Sequence, residues 1–143
     1  MKTVKIALLG FGTVSQGTFN LLQDNVDLIT NRSGVTIEIS KIFVRNPDKY
    51  INITLPSTAQ YVTNIDDVLN DESIAIVVEL MGGTTFAKDC VEAALKHGKN
   101  VVTANKDLLA EAGPYLFGLA YKNHVDLRFE ASVLRSEERR VGK

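Results

Sequence analysis

The stretch "LLGFGTVSQG" (Leu8–Gly17) contains most of the motif G-x-G-x-x-G, with Gly10 and Gly12 at the first two glycine positions and Ser15 at the third. In dinucleotide-binding proteins the first glycine permits a tight strand-to-helix turn, the second lets the backbone approach the pyrophosphate, and the third allows close helix–strand packing. Serine is almost as small as alanine, which is accepted at the third position, and the phosphate-binding groups are backbone N–H groups. We therefore expect Ser15 to loosen the packing slightly and to leave dinucleotide binding intact.

The segments on either side of this stretch fit a strand–turn–helix unit. Val4–Leu9 is a short, nearly continuous apolar run, which is typical of a buried parallel strand. Thr13–Gln23 carries apolar residues at a mostly helical spacing. Because the motif alone is weakly specific, the alternative is a glycine-containing turn in an unrelated α/β protein.

Strands and helices alternate along the rest of the chain. Apolar runs between turn residues predict strands at Val35–Val44, Ile74–Met81, Asn100–Ala104 and Val125–Val133. Asn46-Pro47-Asp48 and Pro56 predict a long loop at Arg45–Thr58. Caps and helical spacing predict helices from Asn64 to Leu69, from Thr84 or Thr85 to His97, and from Asn105 to about Asn123, the last with a break at Gly113–Pro114. This alternation predicts an α/β fold, a Rossmann-like, doubly wound, mostly parallel sheet with helices on both faces.

The composition limits the classes of function. The chain has 143 residues, 45% of them hydrophobic, and a formal net charge of −1, so neither nucleic acid nor a membrane is an expected partner. No apolar run approaches the roughly 20 residues that span a bilayer. Cys90 is the single cysteine, which excludes an intrachain disulfide and a cysteine-rich zinc site. Because the chain starts directly with a strand, we expect no signal peptide and a cytoplasmic location.

The last nine residues, Arg135–Lys143 (RSEERRVGK), do not fit the domain. They have no apolar periodicity, and the run is similar to the translation of a common sequencing-adaptor oligonucleotide. We therefore expect residues 1–134 to form one NAD(P)-binding domain and residues 135–143 to be a non-native tail. A solvated basic tail is the alternative.

Polar or glycine-rich residues follow three of the predicted strands and would meet at one edge of a parallel sheet. Arg45 follows the second strand, where a carboxylate usually binds the ribose 2′-OH of NAD and an arginine suits the 2′-phosphate of NADP. Arg45 therefore favours NADP(H), while Asp48 leaves NAD(H) open. Met81–Thr85 (MGGTT) and Thr103–Lys106 (TANK) follow the next two strands. Their convergence predicts a binding site, whereas Cys90, in the middle of a helix, is predicted to be a core residue.

Together these segments resemble the homoserine dehydrogenases. The matching stretches extend nearly to Val133 and are IALLGFGTVSQG, KIFVRN, IAIVVELMGGT, GKNVVTANKDLLAEAG and VDLRFEASV. The resemblance implies a reduction of L-aspartate 4-semialdehyde to L-homoserine with NADPH or NADH, on the route to threonine, isoleucine and methionine. It also implies a homo-oligomer for the full-length enzyme.

The resemblance implies specific site residues as well. The cofactor-binding residues that it implies are Gly10, Phe11, Gly12, Thr13, Val14, Arg45, Gly83, Thr84, Asn105 and Lys106. Lys106 matches the lysine of the family's ANK motif and is the candidate catalytic residue in this chain. Glu130 and Val133 match the first two residues of a sodium site, to which the valine contributes its backbone carbonyl.

The sequence departs from the family after Val133, where the family continues into a glycine-rich segment and a substrate domain. The expected main proton donor belongs to that domain, so we expect the 143-residue chain to be inactive by itself. Two other functions remain open: a different NAD(P)-dependent dehydrogenase, such as an aspartate-semialdehyde or lactate-type enzyme, and a non-catalytic NAD(P)-sensing module.

Overall fold

A computed structural model describes residues 2–129, and within them six strands form one sheet. The strands are β1 (Lys2–Leu9), β2 (Val35–Phe43), β3 (Gln60–Val62), β4 (Ile74–Glu79), β5 (Asn100–Thr103) and β6 (Leu127–Phe129). The helices are α1 (Thr13–Asp24), α2 (Val26–Ser33), α3 (Asp66–Leu69), α4 (Thr85–Lys96) and α5 (Lys106–Lys122), with a 3₁₀ helix at Pro47–Tyr50. The strand order is β3-β2-β1-β4-β5-β6, and every pairing is parallel. This is the order of a Rossmann sheet, which confirms the predicted fold class.

The sheet separates two apolar clusters, because alternate residues of each buried strand face opposite sides. On one face, Leu8 of β1 packs in a cluster with Phe19 of α1. On the other face, Leu9 packs in a cluster with Val91 of α4 and Leu116 of α5. Helices therefore cover both faces, as predicted, and the carboxyl ends of β1 and β4 lie side by side where the connections diverge.

One helix prediction is wrong. α5 runs without interruption from Lys106 to Lys122, although Pro114 lies inside it. Proline removes one helical hydrogen bond and costs about 3 kcal/mol in a helix interior. In α5 the proline is exposed, while the opposite stripe of the helix is buried on both sides of it, at Leu108, Ala112, Leu116 and Ala120. Burial of this stripe against the sheet outweighs the local cost.

Other elements differ from the predictions in their extent. The segment predicted as one long loop contains the 3₁₀ helix Pro47–Tyr50, and β3 follows it. Helix α3 begins at Asp66, and its N-cap residue is Ile65 rather than the predicted Asn64. The Asn64 side chain lies just before the cap and accepts a hydrogen bond from the Asp66 N–H at 2.9 Å. Strand β6 begins at Leu127, and the remainder of the predicted last strand lies outside the described residues.

Candidate functional site

Two adjoining clefts open at the carboxyl edge of the sheet. The first, of about 480 Å³, lies where β1, β2 and β4 end and is lined by Gly10, Phe11, Gly12, Phe43, Val44, Arg45, Asn46, Lys49, Tyr50, Leu80, Met81, Gly82 and Phe86. The second, of about 310 Å³, lies where β4 and β5 end and is lined by Val14, Glu79, Leu80, Gly82, Gly83, Ala104, Asn105, Lys106 and Asp107. The first turn of α1 borders both clefts, because Gly12 contributes to one and Val14 to the other.

The turn between β1 and α1 uses its two glycines for different purposes. Gly10 has φ +91°, and a Cβ there would stand 3.0 Å from the Met81 side chain and 3.3 Å from the Met81 Cα. A side chain at Gly12 would meet no atom within 4 Å, so this position leaves open space in front of the helix. No side chain caps α1 at Gly12, and its first turn carries no acidic residue. The first N–H groups of α1 are therefore free of side-chain acceptors and can donate hydrogen bonds to a phosphate.

Phe11 contributes to this turn in a way that the sequence does not reveal. Its side chain is buried, and its ring makes edge contacts with Phe19, Tyr50 and Tyr61, at centroid distances of 5.4 to 5.8 Å. The Phe11 side chain is thus part of the apolar core and packs beneath the turn, on the side away from solvent. Any contact of Phe11 with a ligand in the first cleft is left to its backbone.

Ser15 does more than fit the third glycine position. It is fully buried, and its hydroxyl donates a hydrogen bond to the carbonyl oxygen of Gly10 at 2.6 Å. The serine therefore ties the first turn of α1 to the end of β1. The sequence predicts only a slight loosening of packing here and misses this contact.

Replacing Ser15 with alanine is expected to lower the free energy of unfolding by about 1–2 kcal/mol, because the Gly10 carbonyl loses a buried donor. Affinity for a dinucleotide should stay within about threefold, since the phosphate-facing groups are backbone N–H groups. Chemical denaturation and calorimetry measure the two effects. The matched control is Thr18→Ala, whose exposed hydroxyl donates to Val14 O one turn along the same helix. A loss of stability no larger than that of the control would contradict a structural role for the Ser15 hydroxyl.

Arg45 lies at the mouth of the first cleft. Its guanidinium carbon is 5.0 Å from the centre of the Phe86 ring, a cation–π contact that holds the exposed side chain beside the cleft. Asn46 and Lys49 line the same cleft, whereas Asp48 is exposed and is not among its lining residues. The positive charge at the end of β2 is therefore not offset by a carboxylate inside the cleft.

The second cleft combines a glycine pair with the start of α5. Gly82 and Gly83 have φ +78° and +71° and open space around both positions. The Asn105 side chain donates to Gly83 O at 2.6 Å and accepts from the Leu108 N–H at 3.0 Å, so it joins the glycine turn to the first turn of α5. Lys106 is the first residue of that helix, is exposed, and lines the cleft.

The structure brings together most of the predicted cofactor residues. Gly10, Phe11, Gly12 and Arg45 share the first cleft, and Val14, Gly83, Asn105 and Lys106 share the second. Thr13 and Thr84 are sequence neighbours of lining residues, but neither is among the residues that line these two clefts. Glu130 and Val133, the predicted sodium ligands, lie outside the described residues.

Glu79 is a residue of the candidate site that the sequence patterns do not indicate. It is fully buried at the end of β4, and its carboxylate accepts hydrogen bonds from the Met81 N–H (2.9 Å) and the Thr103 hydroxyl (2.6 Å). The available signal was a single acidic residue in an otherwise apolar run, three residues before a glycine pair.

Cys90 is a core residue, as predicted. It is buried on α4, and burial, followed by the nearby charges of Asp89 and Glu79, raises the pKa of its thiol to about 11. Such a thiol is a poor nucleophile at neutral pH, which argues against the chemistry of an aspartate-semialdehyde dehydrogenase.

Within residues 2–129, no group of three or more His, Cys, Asp or Glu side chains is arranged to hold a metal ion. No helix in that range has both the length and the apolar character needed to cross a membrane.

Comparison with known proteins places this site in context. Residues 10–130 match the family model described as "Homoserine dehydrogenase, NAD binding domain". The homoserine dehydrogenase of Lactococcus lactis is 45% identical over 133 residues, which are 92% of this chain and 31% of that protein. The chain thus spans about a third of the length of that relative.

Solved structures agree with the sequence match. A homoserine dehydrogenase from Thiobacillus denitrificans superposes with a TM-score of 0.85 and 42% identity, covering 92% of this chain and 30% of that one. A hyperthermophilic archaeal homoserine dehydrogenase in complex with NADPH shares the fold, with a TM-score of 0.70 and 21% identity over 91% of this chain and 44% of that one.

Proposed function

The chain belongs to the family of homoserine dehydrogenase NAD-binding domains, and from that premise we propose that it binds NADP(H) as the cofactor domain of an enzyme that reduces L-aspartate 4-semialdehyde to L-homoserine. The observation that carries the proposal is the pair of clefts spanned by the uncapped first turn of α1. A dinucleotide needs two nucleotide sites joined by a pyrophosphate site, and this edge of the sheet offers that arrangement.

The adenosine half is assigned to the first cleft, at the end of β2. There Arg45, supported by Phe86 and accompanied by Lys49, offers positive charge to a 2′-phosphate. The position of Asp48 outside the lining supports NADP(H) over NAD(H), because the carboxylate that would bind a ribose 2′-OH is not in the cleft. This favours one of the two cofactors that the sequence alone leaves open.

The nicotinamide half is assigned to the second cleft, between the glycine pair and α5. NADPH supplies the hydride for the reduction of an aldehyde when it is bound. Gly83 leaves room for close approach to the backbone, and Lys106 brings a positive charge to the cleft as the candidate catalytic residue. A lysine ammonium there can stabilise negative charge that develops on the aldehyde oxygen.

The rest of the proposal concerns the complete enzyme. Residues 1–134 are the cofactor domain, and residues 135–143 are a non-native tail. The complete enzyme is a cytoplasmic homo-oligomer in threonine, methionine and isoleucine biosynthesis, with a sodium site that includes Glu130 and Val133. The relatives are about three times as long as this chain, which supports the view that the substrate contacts belong to a further domain.

Replacing Arg45 with alanine is expected to weaken NADP(H) binding by about 10- to 100-fold, the loss of one charged contact to phosphate worth roughly 1.5–3 kcal/mol. NAD(H) binding should change by less than about threefold, since NAD(H) has no 2′-phosphate to lose a contact. Calorimetry with both cofactors measures the difference.

Arg32→Ala is the matched control for the change of Arg45. It removes the same charge from the last turn of α2, which precedes β2 and therefore lies at the opposite edge of the sheet. An equal loss of affinity for both cofactors in Arg45→Ala would contradict the assignment of Arg45 to the 2′-phosphate.

A further inference from the structure

We propose that Glu79 is a positioning residue for the nicotinamide half of the dinucleotide. It would act by holding the Met81–Gly83 turn and Asn105 in one fixed arrangement through a closed ring of hydrogen bonds. The inference rests on the proposed function, because it assigns a role within the same site.

The ring can be followed from atom to atom. One carboxylate oxygen of Glu79 accepts from the Met81 N–H at 2.9 Å, and the other accepts from the Thr103 hydroxyl at 2.6 Å. The Thr103 oxygen accepts from the Asn105 N–H at 3.0 Å, and the Asn105 side chain donates to Gly83 O at 2.6 Å. Gly83 is joined to Met81 through Gly82, which closes the ring. The end of β4 and the end of β5 are thereby linked through a single carboxylate.

Burial of the Glu79 carboxylate lowers stability, so a role other than stabilisation would explain its position. The residue is fully buried, and none of the ion pairs within residues 2–129 includes it, so both of its partners are neutral donors. A buried carboxylate without an ionic partner contributes less to stability than an apolar residue of similar size. Its specific contribution is directional, because each of its two oxygens accepts a bond from a different donor, one from the Met81 N–H and the other from the Thr103 hydroxyl.

The turn that Glu79 holds would otherwise be free to change shape. Gly82 and Gly83 are consecutive, both have positive φ, and neither has a neighbour in the space that a side chain would occupy. Glycine has more backbone conformations available than any other residue. The Met81 N–H bond fixes the start of the pair and the Asn105 bond fixes its end. Since Asn105 also caps α5, the ring fixes the position at which Lys106 begins that helix.

Most of the ring borders the second cleft. Glu79, Gly83 and Asn105 line that cleft alone, Gly82 lines both clefts, and Met81 lines the first cleft together with Arg45. A change at Glu79 or Thr103 should therefore weaken binding of the ligand's nicotinamide half more than binding of its adenosine half. This separation distinguishes positioning of the cofactor from a general contribution to stability.

The test compares two ligands on the 143-residue chain by calorimetry: NADPH, and 2′-phospho-ADP-ribose, which lacks the nicotinamide ring. Glu79→Leu fills most of the space of the side chain but has no acceptor oxygen, so both hydrogen bonds made by the Glu79 carboxylate are lost. We expect NADPH affinity to fall by about tenfold and 2′-phospho-ADP-ribose affinity to change by less than about twofold. Arg45→Ala provides the contrast, since it should weaken both ligands by the same factor.

Thr103 provides a second route if Glu79→Leu does not fold. Thr103→Val removes the hydroxyl and should reproduce the selective loss of NADPH affinity. Thr103→Ser keeps the hydroxyl and should bind NADPH about as tightly as the wild type. The positioning role would be overturned if the variants bound both ligands equally more weakly, if binding of neither ligand changed, or if Thr103→Ser lost NADPH affinity as Thr103→Val does. If the wild-type chain binds neither ligand, the proposed function fails and this inference fails with it, a result different from wild-type binding without the selective effect.

Discussion

Replacing Gly10 with alanine is expected to lower the free energy of unfolding by about 3 kcal/mol. Gly10 has φ +91°, where an L side chain costs roughly 1–2 kcal/mol. The new Cβ would also stand 3.0 Å from the Met81 Cγ and 3.3 Å from the Met81 Cα, and crowding of this kind in a packed region typically adds about 1–3 kcal/mol. The backbone contact matters most, because a side-chain rotation cannot relieve it. Chemical denaturation of the purified chain measures the change.

Gly12→Ala is the matched variant for the same turn and should give the opposite pattern. Gly12 has φ −73°, and a Cβ there meets no atom within 4 Å, so stability should change by less than about 1 kcal/mol. Dinucleotide affinity should fall by more than about tenfold, because the methyl group occupies the space through which the pyrophosphate approaches the backbone. A Gly12→Ala variant that binds NADPH as tightly as the wild type would show that the cofactor does not approach this turn closely.

The parts of the fold that the sequence predicts are those with a strong apolar pattern. β1 and β4 are nearly continuous apolar runs, α4 has buried residues at helical spacing, and their positions follow from these patterns. α2 (Val26–Ser33) has no buried residue, so no apolar pattern reveals it. β3 (Gln60–Val62) has three residues, and its place depends on pairing with β2, which only the folded chain supplies.

Sequence patterns locate those parts of the candidate site that depend on the backbone or on a single residue, but they do not locate contacts between side chains that are distant in sequence. The glycine turn at Gly10 and the basic residue Arg45 can be located from motif and position alone. The Ser15 hydroxyl bond to Gly10 O and the contact of Arg45 with Phe86 each join residues whose relative positions depend on the folded chain. The ring through Glu79 depends on β4 and β5 being adjacent, a relation that a single-sequence pattern suggests but does not place at atomic distance.

The 143-residue chain is expected to oxidise no NADPH above background when aspartate semialdehyde is supplied, even where calorimetry shows that it binds the cofactor. Binding and orientation of a reactant can contribute on the order of 7–11 kcal/mol to a rate, and this contribution requires contacts with the aldehyde as well as with NADPH. The two clefts of residues 2–129 are assigned by the proposal to the two halves of a dinucleotide, and the relatives carry about 70% of their length beyond the matched part. Lys106 alone offers a positive charge, but it does not form the surface that would hold the aldehyde substrate against the nicotinamide ring.

A chimera provides the positive arm of this experiment. Residues 1–133 of this chain, joined to the remaining part of the Lactococcus lactis homoserine dehydrogenase, should reduce aspartate semialdehyde, because the 45% identity over the matched segment keeps the core compatible. In the chimera, Lys106→Ala should lower kcat by about 10²-fold or more if the ammonium stabilises charge on the aldehyde oxygen, while NADPH affinity changes much less. Robust turnover by the 143-residue chain itself would contradict the assignment of the substrate contacts to a further domain. An active chimera that is unaffected by Lys106→Ala would keep that assignment and remove Lys106 from the reaction.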